Sequence, residues 1–298
     1  MTPRSALPDE HAAAALRLLF RHLDAAELDY RIARALEMIP TGDLDIGGLL
    51  VLPGTTGPRG VTLCQTVVGG SGLVWPPVVT PPDPAHEDAL VAAALAWLRA
   101  RGSLLAQCLL PDEDFHLAAP LARNGFTHTT GLSYLRHDLA LTAGWLIGED
   151  NLELTTYDAA NPAPFRAALA GSYEGTLDCP EVNGVRSIDE VLAGHQSQGR
   201  YDPSTWWLAW LDGEPVGVLL LVEDAPREWE IAYVGVVPTA RRHGVARGLM
   251  RQALCHARMV EAVRLMLSVD DRNTPARRLY QELGFEKYDH REVMMVRL

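Results

Sequence analysis

One stretch in the last third of the chain constrains the fold most. An apolar, strand-like run at residues 231–237 leads into a turn of small and basic residues, Arg241 to Ala246, and a helical pattern begins at Arg247. A helix that begins after such a turn leaves several backbone N–H groups without partners. Those groups, together with about half a unit of positive charge from the helix dipole, favour a bound pyrophosphate. The sequence therefore predicts an α/β fold that holds a phosphorylated cofactor.

The spacing of this turn resembles a known motif. Residues 241–246 read R-x-x-G-x-A, with Gly244 at the fixed glycine, and this is similar to motif A of the GNAT (Gcn5-related N-acetyltransferase) superfamily. After a second apolar run at residues 264–269 come Asn273, Tyr280 and the L-G-F run at residues 283–285. That order resembles the closing signature of the same family. The resemblance covers residues 150–298 well.

The resemblance implies an acetyl-CoA-dependent N-acetyltransferase that moves the acetyl group to a primary amine by direct attack in a ternary complex. It implies that the turn holds the pyrophosphate, that strand 231–237 separates from the next strand, and that Gly235 permits a bulge or a close backbone approach. No metal is expected. The residues expected to bind the cofactor are Val234, Val236, Val237, Arg241, Arg242, His243, Gly244, Val245, Ala246, Arg247 and Asn273.

Three side chains are candidates for the two proton transfers. Glu230 opens the strand before motif A, as the base does in histone-acetylating members of the family, and burial there would raise its pKa toward neutrality. Glu228 lies two residues earlier on the same strand face and is the rival base. Family members commonly use a tyrosine at the position of Tyr280 to protonate the departing sulfur, and a phenol has a pKa near 10.

An internal repeat indicates two domains. Gly284 follows Gly125 by 159 residues, and the same offset relates Phe285 to Phe126. Repeats of this kind decide the domain count. We therefore predict two tandem acyl-CoA N-acyltransferase-like domains, each a mixed, mostly antiparallel twisted sheet flanked by helices. The predicted domains are residues 1–140 and 151–298, with the boundary between residues 139 and 151.

The first domain is predicted to be a degenerate copy. The offset places Pro82, Asp83, Ala85 and Glu87 where motif A stands in the second half. Acidic side chains and prolines oppose a pyrophosphate, because like charges a few ångströms apart cost on the order of 1–4 kcal/mol. Leu121 takes the place of the tyrosine and has no proton to give.

Patterning also predicts the elements of the first half. Two short helices are expected over residues 9–38, interrupted near Asp24, and a longer helix over residues 86–101. Strands are expected at residues 47–53, 60–68, 73–79 and 104–110, and a short helix should end before Gly125.

Composition indicates a globular chain. It has 298 residues, is 48% hydrophobic and carries a formal net charge of −12. That charge argues against nucleic-acid binding, and no apolar run is long enough to cross a bilayer. The four cysteines show no C-x-x-C spacing, so a reduced, cytoplasmic protein without structural zinc is expected. A monomer is favoured over a homodimer, because two fused domains can mimic the dimer of single-domain relatives.

The acceptor is expected to be a small-molecule or peptide amine. It would lie between helices in residues 161–196, the loop at residues 173–184 and the last strands. Acidic residues of the loop could receive a cationic acceptor or be solvated: Glu174, Asp178 and Glu181. Trp206 and Trp207 could line the site or pack the core. Two alternatives stay open: a mycothiol synthase-like tandem acetyltransferase, and a CoA-binding regulatory module without turnover.

Overall fold

The computed structural model describes residues 2–5, 10–55, 57–139 and 152–298. The chain divides into two compact units, Met1–Thr129 with Glu292–Leu298, and Thr130–Arg291. Except for Leu139, the boundary predicted between residues 139 and 151 lies outside the described residues.

The first unit is a sheet with helices on both faces. Its strands lie in the order β1, β2, β3, β4, β6 and the end of β13, with β5 paired to β3, and among the described residues only the β4–β6 pair is parallel. Its elements are β1 (Arg4–Ser5), α1 (Glu10–Leu19), α2 (Ala25–Thr41), β2 (Leu49–Pro53), β3 (Pro58–Val67), β4 (Ser71–Val74), β5 (Val78–Val79), α3 (Pro84–Arg99), β6 (Leu105–Leu110) and α4 (Ala119–Arg123), together with residues 292–297 of β13 (Glu286–Arg297).

The second unit repeats this plan. Its strand order is β7, β12, β11, β10, β9 and β8, and the β11–β12 pair is the only parallel one in the part of this unit that the structure describes. Its elements are residues 132–138 of β7 (Thr127–Asp138), β8 (Glu153–Thr156), α5 (Ala163–Ser172), α6 (Ile188–Gln196), β9 (Trp206–Leu211), β10 (Glu214–Ala225), β11 (Glu228–Val236), α7 (Val245–Met259), β12 (Arg264–Asp270) and α8 (Thr274–Glu282), with the first part of β13.

The offset found in the sequence relates the two sets of elements. Moving β13 back by 159 residues places it on β7, and the same shift places α7 over α3 and β12 over β6. Each half has one parallel strand pair, β4–β6 and β11–β12, at equivalent places. The predicted fold class, two tandem sheets that are mostly antiparallel and flanked by helices, is therefore confirmed.

Most predicted elements are present, with one clear error. The helix break near Asp24 is real, because its side chain accepts hydrogen bonds from the first N–H groups of α2. The single strand predicted over residues 73–79 is wrong: β4 ends at Val74 and β5 begins at Val78. Two consecutive prolines, Pro76 and Pro77, supply no N–H groups to a ladder, so pairing stops there.

Apolar side chains cover both faces of the second sheet. One cluster packs under α7 and contains Leu249, Ile231 and Leu265. The other packs under α5 and α6 and contains Phe165 and Trp206. Trp206 and Trp207 are therefore core residues, the second of the two roles left open by the sequence. None of the helices in the described ranges combines the length and apolarity that a bilayer crossing demands.

Candidate active site

The second unit has a wedge between two of its strands. The parallel ladder of β11 and β12 ends at Ile231 and Leu267, although β11 continues to Val236 and β12 to Asp270. Where β11 pairs with β10, Ile231 and Tyr233 oppose successive residues, so Ala232 is an extra residue. Such a bulge bends its strand and increases the twist. The bend accounts for the separation of the two strands.

A cavity of about 810 Å³ occupies this wedge. Its size lies within the range of small-molecule and cofactor sites. Its walls come from β11, β12, the first turn of α7, the N-terminal part of α8 and the segment after α5. Strand edges without a ladder partner leave backbone N–H and C=O groups that can bind an extended ligand.

The N-terminus of α7 opens on the same cavity. Gly244 precedes the helix with φ of +83° and, being a glycine, brings no capping side chain to it. A Cβ added to Gly244 would meet nothing within 4 Å, so its neighbourhood is open. Arg242 is exposed and makes no hydrogen bond or ion pair in the described part of the chain. Free N–H groups, an open glycine and one unpaired cation fit a pyrophosphate.

Arg241 lines the cavity and also makes backbone contacts that the sequence did not predict. Its guanidinium donates hydrogen bonds to the carbonyl oxygens of Ser172 (3.2 Å), Glu174 (2.5 Å), Gly175 (3.1 Å) and Val236 (3.0 Å). Carbonyl groups at a helix C-terminus lack intrahelical partners and attract cations. Arg241 thus fastens the end of α5 to the strand that leads into motif A.

This contact predicts a stability effect. Replacing Arg241 by Lys keeps the charge but loses the planar fork, and hydrogen bonds to a charged group contribute about 1.5–3 kcal/mol. Because Arg241 is half-buried, we expect a loss of about 2 kcal/mol, which lowers the thermal midpoint by roughly 4–8 °C. Arg242→Lys is the matched control and should change stability by less than about 0.5 kcal/mol. Equal thermal midpoints for the two variants would show that the Arg241 hydrogen bonds do not stabilise the fold.

The other predicted cofactor-binding residues fall into two groups. Val237 and His243 do not line the cavity, and the Val237 N–H donates instead to the Val216 carbonyl. Asn273 lines it while its side chain caps α8 by accepting from the Ala276 N–H. The remaining residues of the prediction also line it: Val234, Val236, Arg241, Arg242, Gly244, Val245, Ala246 and Arg247.

Two side chains approach the backbone closely at Gly235, as the glycine in this strand indicated. An added Cβ would lie 2.5 Å from the Ser172 hydroxyl and 2.6 Å from the Tyr233 hydroxyl, too close for any side chain. Those two hydroxyls are hydrogen-bonded to each other at 2.8 Å. The bulge itself lies at Ala232 rather than at Gly235.

Tyr280 is placed for chemistry at the cavity wall. Its side chain is 6% exposed and lines the cavity from α8. Burial, and then the charge of Asp178, raise the pKa of this phenol above its usual range. A raised pKa keeps the proton on the oxygen at neutral pH, which is the state a proton donor needs.

The two glutamates differ in their surroundings. Glu230 stands one residue before Ile231, the first cavity-lining residue of β11, and does not itself line the cavity. Burial, and then the charge of Asp224, raise the pKa of its carboxyl. Glu228 instead lies 3.5 Å from the Arg264 guanidinium. The raised pKa of Glu230 is in the direction that a general base working near neutral pH needs.

The sequence did not single out several residues of the wall. Tyr233 lines the cavity from β11, and Ser172 lines it from the last position of α5. Thr176 and Leu177 line it from the loop that follows. No motif marks these residues, because the fold brings them together from distant parts of the chain.

The equivalent helix of the first unit has a different N-terminus. Asp83 caps α3, its carboxylate accepting from the Ala85 N–H at 3.1 Å and lying 2.5 Å from the His86 ring nitrogen. Pro84 occupies the first helical position. A carboxylate therefore takes the place that an anionic ligand occupies at an open helix N-terminus.

Comparisons with known proteins bear on this arrangement. Residues 174–285 match the model of the Acetyltransferase (GNAT) family. A GCN5-related N-acetyltransferase from Sphaerobacter thermophilus has a similar fold, with a TM-score of 0.69 and 18% identity over 99% of this chain and 95% of that one. A tandem GNAT protein from the clavulanic acid biosynthesis pathway superposes with a TM-score of 0.56 and 15% identity, over 99% and 97% of the two chains.

Curated relatives carry the name mycothiol acetyltransferase. One from Thermomonospora curvata is 36% identical over 111 residues, which is 37% of each chain. One from Thermobispora bispora is 30% identical over 182 residues, which is 59% of this chain and 60% of that protein. The chain thus spans less than two thirds of the length of these relatives. A third, from Kocuria rhizophila, is 27% identical over 80% of this chain and 85% of its own length.

Proposed function

The chain is a member of the GNAT acetyltransferase family, and from that premise we propose that its second unit transfers an acetyl group from acetyl-CoA to a primary amine. The observation that carries the proposal is the wedge between β11 and β12, which opens directly onto the uncapped N-terminus of α7. An extended thioester arm needs free strand edges, and a pyrophosphate needs free N–H groups. Both occur in one cavity.

The residues present fit such a ligand. The first-turn N–H groups of α7 and the Arg242 guanidinium would hold the phosphates, while the edges around Val234 and Val236 would hold the pantetheine arm. When bound, acetyl-CoA supplies a thioester carbon that an amine attacks with loss of the thiolate. Backbone N–H groups of β11 facing the wedge would stabilise the negative charge that develops on the thioester oxygen.

Two side chains would move protons. Glu230 would take a proton from the amine nitrogen through a water molecule, since it directly precedes Ile231, the first cavity-lining residue of β11. Tyr280 would give its phenolic proton to the sulfur as the carbon–sulfur bond breaks. The net result is an amide, a thiol and one proton moved from nitrogen to sulfur.

The raised pKa of Glu230 gives a pH prediction. The base works only when ionised, so kcat/KM should rise with pH as this carboxyl titrates, above the range of an ordinary glutamate. Glu230→Gln should lower kcat/KM about 100-fold at neutral pH. It should also abolish the rise of kcat/KM with pH, which is the acidic limb of the pH profile. Glu228→Gln is the control and should keep both rate and limb. A lost limb in Glu228→Gln alone would assign the base to Glu228.

Calorimetric titration of acetyl-CoA into the intact chain tests the proposal directly. One site of micromolar affinity, about −8 kcal/mol, would support a cofactor-binding second unit and a first unit that lacks the site. Two sites would contradict our proposal that residues 1–140 are a degenerate copy. The Asp83 side chain would then have to move away from the N-terminus of α3, which it caps. The absence of binding would contradict the proposed function itself.

A narrower acceptor class follows from the relatives. We propose as a second candidate that the chain acts as a mycothiol acetyltransferase, supported by relatives of that name in Thermobispora bispora and Kocuria rhizophila. The alignment with the second of these runs over 267 residues. The assay is thiol release from acetyl-CoA with mycothiol lacking its acetyl group, compared with glucosamine. Equal rates on both would contradict the narrower assignment and leave the broader one standing.

A further inference from the structure

One acidic side chain in the cavity wall takes no part in the steps above. Asp178 lies in the segment after α5 and lines the cavity beside Thr176 and Leu177. Its backbone N–H donates to the Thr176 hydroxyl, and the next residue, Cys179, has a left-handed φ of 42°. A residue other than glycine keeps this conformation only where its surroundings impose it.

The surroundings of this segment are a network of charged hydrogen bonds. One Asp178 oxygen accepts from the Asp270 N–H, and one Asp270 oxygen accepts from the Cys179 N–H, both at 2.9 Å. Asp270 is fully buried and also binds the Arg272 guanidinium, which reaches Glu181 at 2.6 Å. These contacts hold the Asp178 carboxylate at one place in the wall.

The second oxygen of Asp178 is unpaired. Within the described residues it has no hydrogen bond or ion pair, while Arg272 is engaged by Asp270 and Glu181 and Arg241 by backbone carbonyls. Burial raises the pKa of the Asp178 carboxyl, which shows how poorly its charge is solvated. The phenol-bearing residues Tyr233 and Tyr280 line the same cavity.

A fixed carboxylate with one free oxygen beside aromatic rings complements a cation. Hydrogen bonds between ionised partners are about twice as strong as neutral ones, and aromatic faces attract cations further. We propose that the free oxygen of Asp178 binds the ammonium form of the acceptor. The bound ammonium would lose one proton to Glu230 and from there to solvent before the nitrogen attacks, and the second proton, lost as the amide forms, balances the proton given to sulfur. The acceptor is then an aliphatic amine, protonated at neutral pH, rather than an aromatic amine or an alcohol. This inference rests on the proposed function, because it concerns the acceptor side of the same cavity.

Two probes of matched shape test the inference. Cyclohexylamine is a cation at neutral pH, and aniline is a neutral ring of the same carbon number. Binding of each to the full chain saturated with CoA is followed by ligand-observed NMR. We expect the wild-type protein to prefer cyclohexylamine by about tenfold or more. Asp178→Asn, which still accepts from the Asp270 N–H, should lose this preference while its affinity for acetyl-CoA stays unchanged.

Two further variants separate charge from structure. Glu181→Gln weakens the Arg272 contact in the same segment but leaves the free oxygen of Asp178, so it should keep the preference. Asp178→Glu keeps the charge and should keep most of the preference, which preserves the test if Asp178→Asn does not fold. A wild-type protein without the preference, or a Glu181→Gln variant that loses it as fully as Asp178→Asn, would overturn the inference. Loss of acetyl-CoA binding in the wild type would instead overturn the proposed function.

Discussion

Replacing Gly244 by Glu is expected to lower the affinity for acetyl-CoA by at least about 100-fold. The residue precedes α7 at the uncapped N-terminus, and an added Cβ points into open space. A carboxylate there would compete with the pyrophosphate for the free N–H groups of the first turn. It would also repel the phosphates, and like charges about 4 Å apart cost roughly 4 kcal/mol near a protein surface. Calorimetric titration measures the loss.

A matched control separates this effect from backbone strain. Gly213, in the turn between β9 and β10, has φ of +79° against +83° for Gly244, and an added Cβ there also meets nothing within 4 Å. Both substitutions place a non-glycine residue in the left-handed region, at a cost of about 1–2 kcal/mol of folding free energy. Gly213→Glu should therefore lose similar stability and bind acetyl-CoA normally. An unchanged affinity of Gly244→Glu for acetyl-CoA would show that the cofactor does not bind at the N-terminus of α7.

The outline of both halves could be read from the sequence because local chemistry specifies it. The offset between Gly125 and Gly284 also relates β7 to β13, whose first and last residues differ by the same number of positions. The turn at Gly244 was predictable because its small residues, its neighbouring arginines and the change from strand to helix periodicity all lie within one short segment. The error at residues 73–79 arose because the apolar run was given more weight than the two prolines that follow Trp75 within it.

The rest of the site depends on contacts between residues far apart in sequence. The motif around Arg241 gave no sign of its carbonyl partners, which lie up to 69 residues earlier in the chain. The Asp178 carboxylate accepts a hydrogen bond from the Asp270 N–H across 92 residues, and no spacing in the sequence indicates such a pair. The pairing of residues 292–297 of β13 with β6 is equally hard to predict, since an alternating pattern shows which face a strand buries but not which neighbour it pairs with.

Replacing Tyr280 by Phe is expected to lower kcat about 1,000-fold, because general acid catalysis contributes roughly 10²–10⁴. The ring packs near Phe285, with centroids 6.0 Å apart, so Phe should retain the fold of α8 and the cavity wall. Only the proton at the departing sulfur is lost, and the affinity for acetyl-CoA should remain within about twofold. Steady-state kinetics with the best amine from a screen, together with calorimetry, measure both quantities.

The same variant decides between catalysis and simple packing for this tyrosine. Tyr157→Phe is the matched control, because Tyr157 packs against Phe165 at 5.0 Å and does not line the cavity. Its kcat should equal that of the wild type. A thiol with a lower pKa than CoA needs less help in leaving, so Tyr280→Phe should regain rate with an acetyl thioester of such a thiol. Full activity of Tyr280→Phe with acetyl-CoA, or an equal loss with both thioesters, would exclude proton donation by this phenol and leave it a packing role against Phe285.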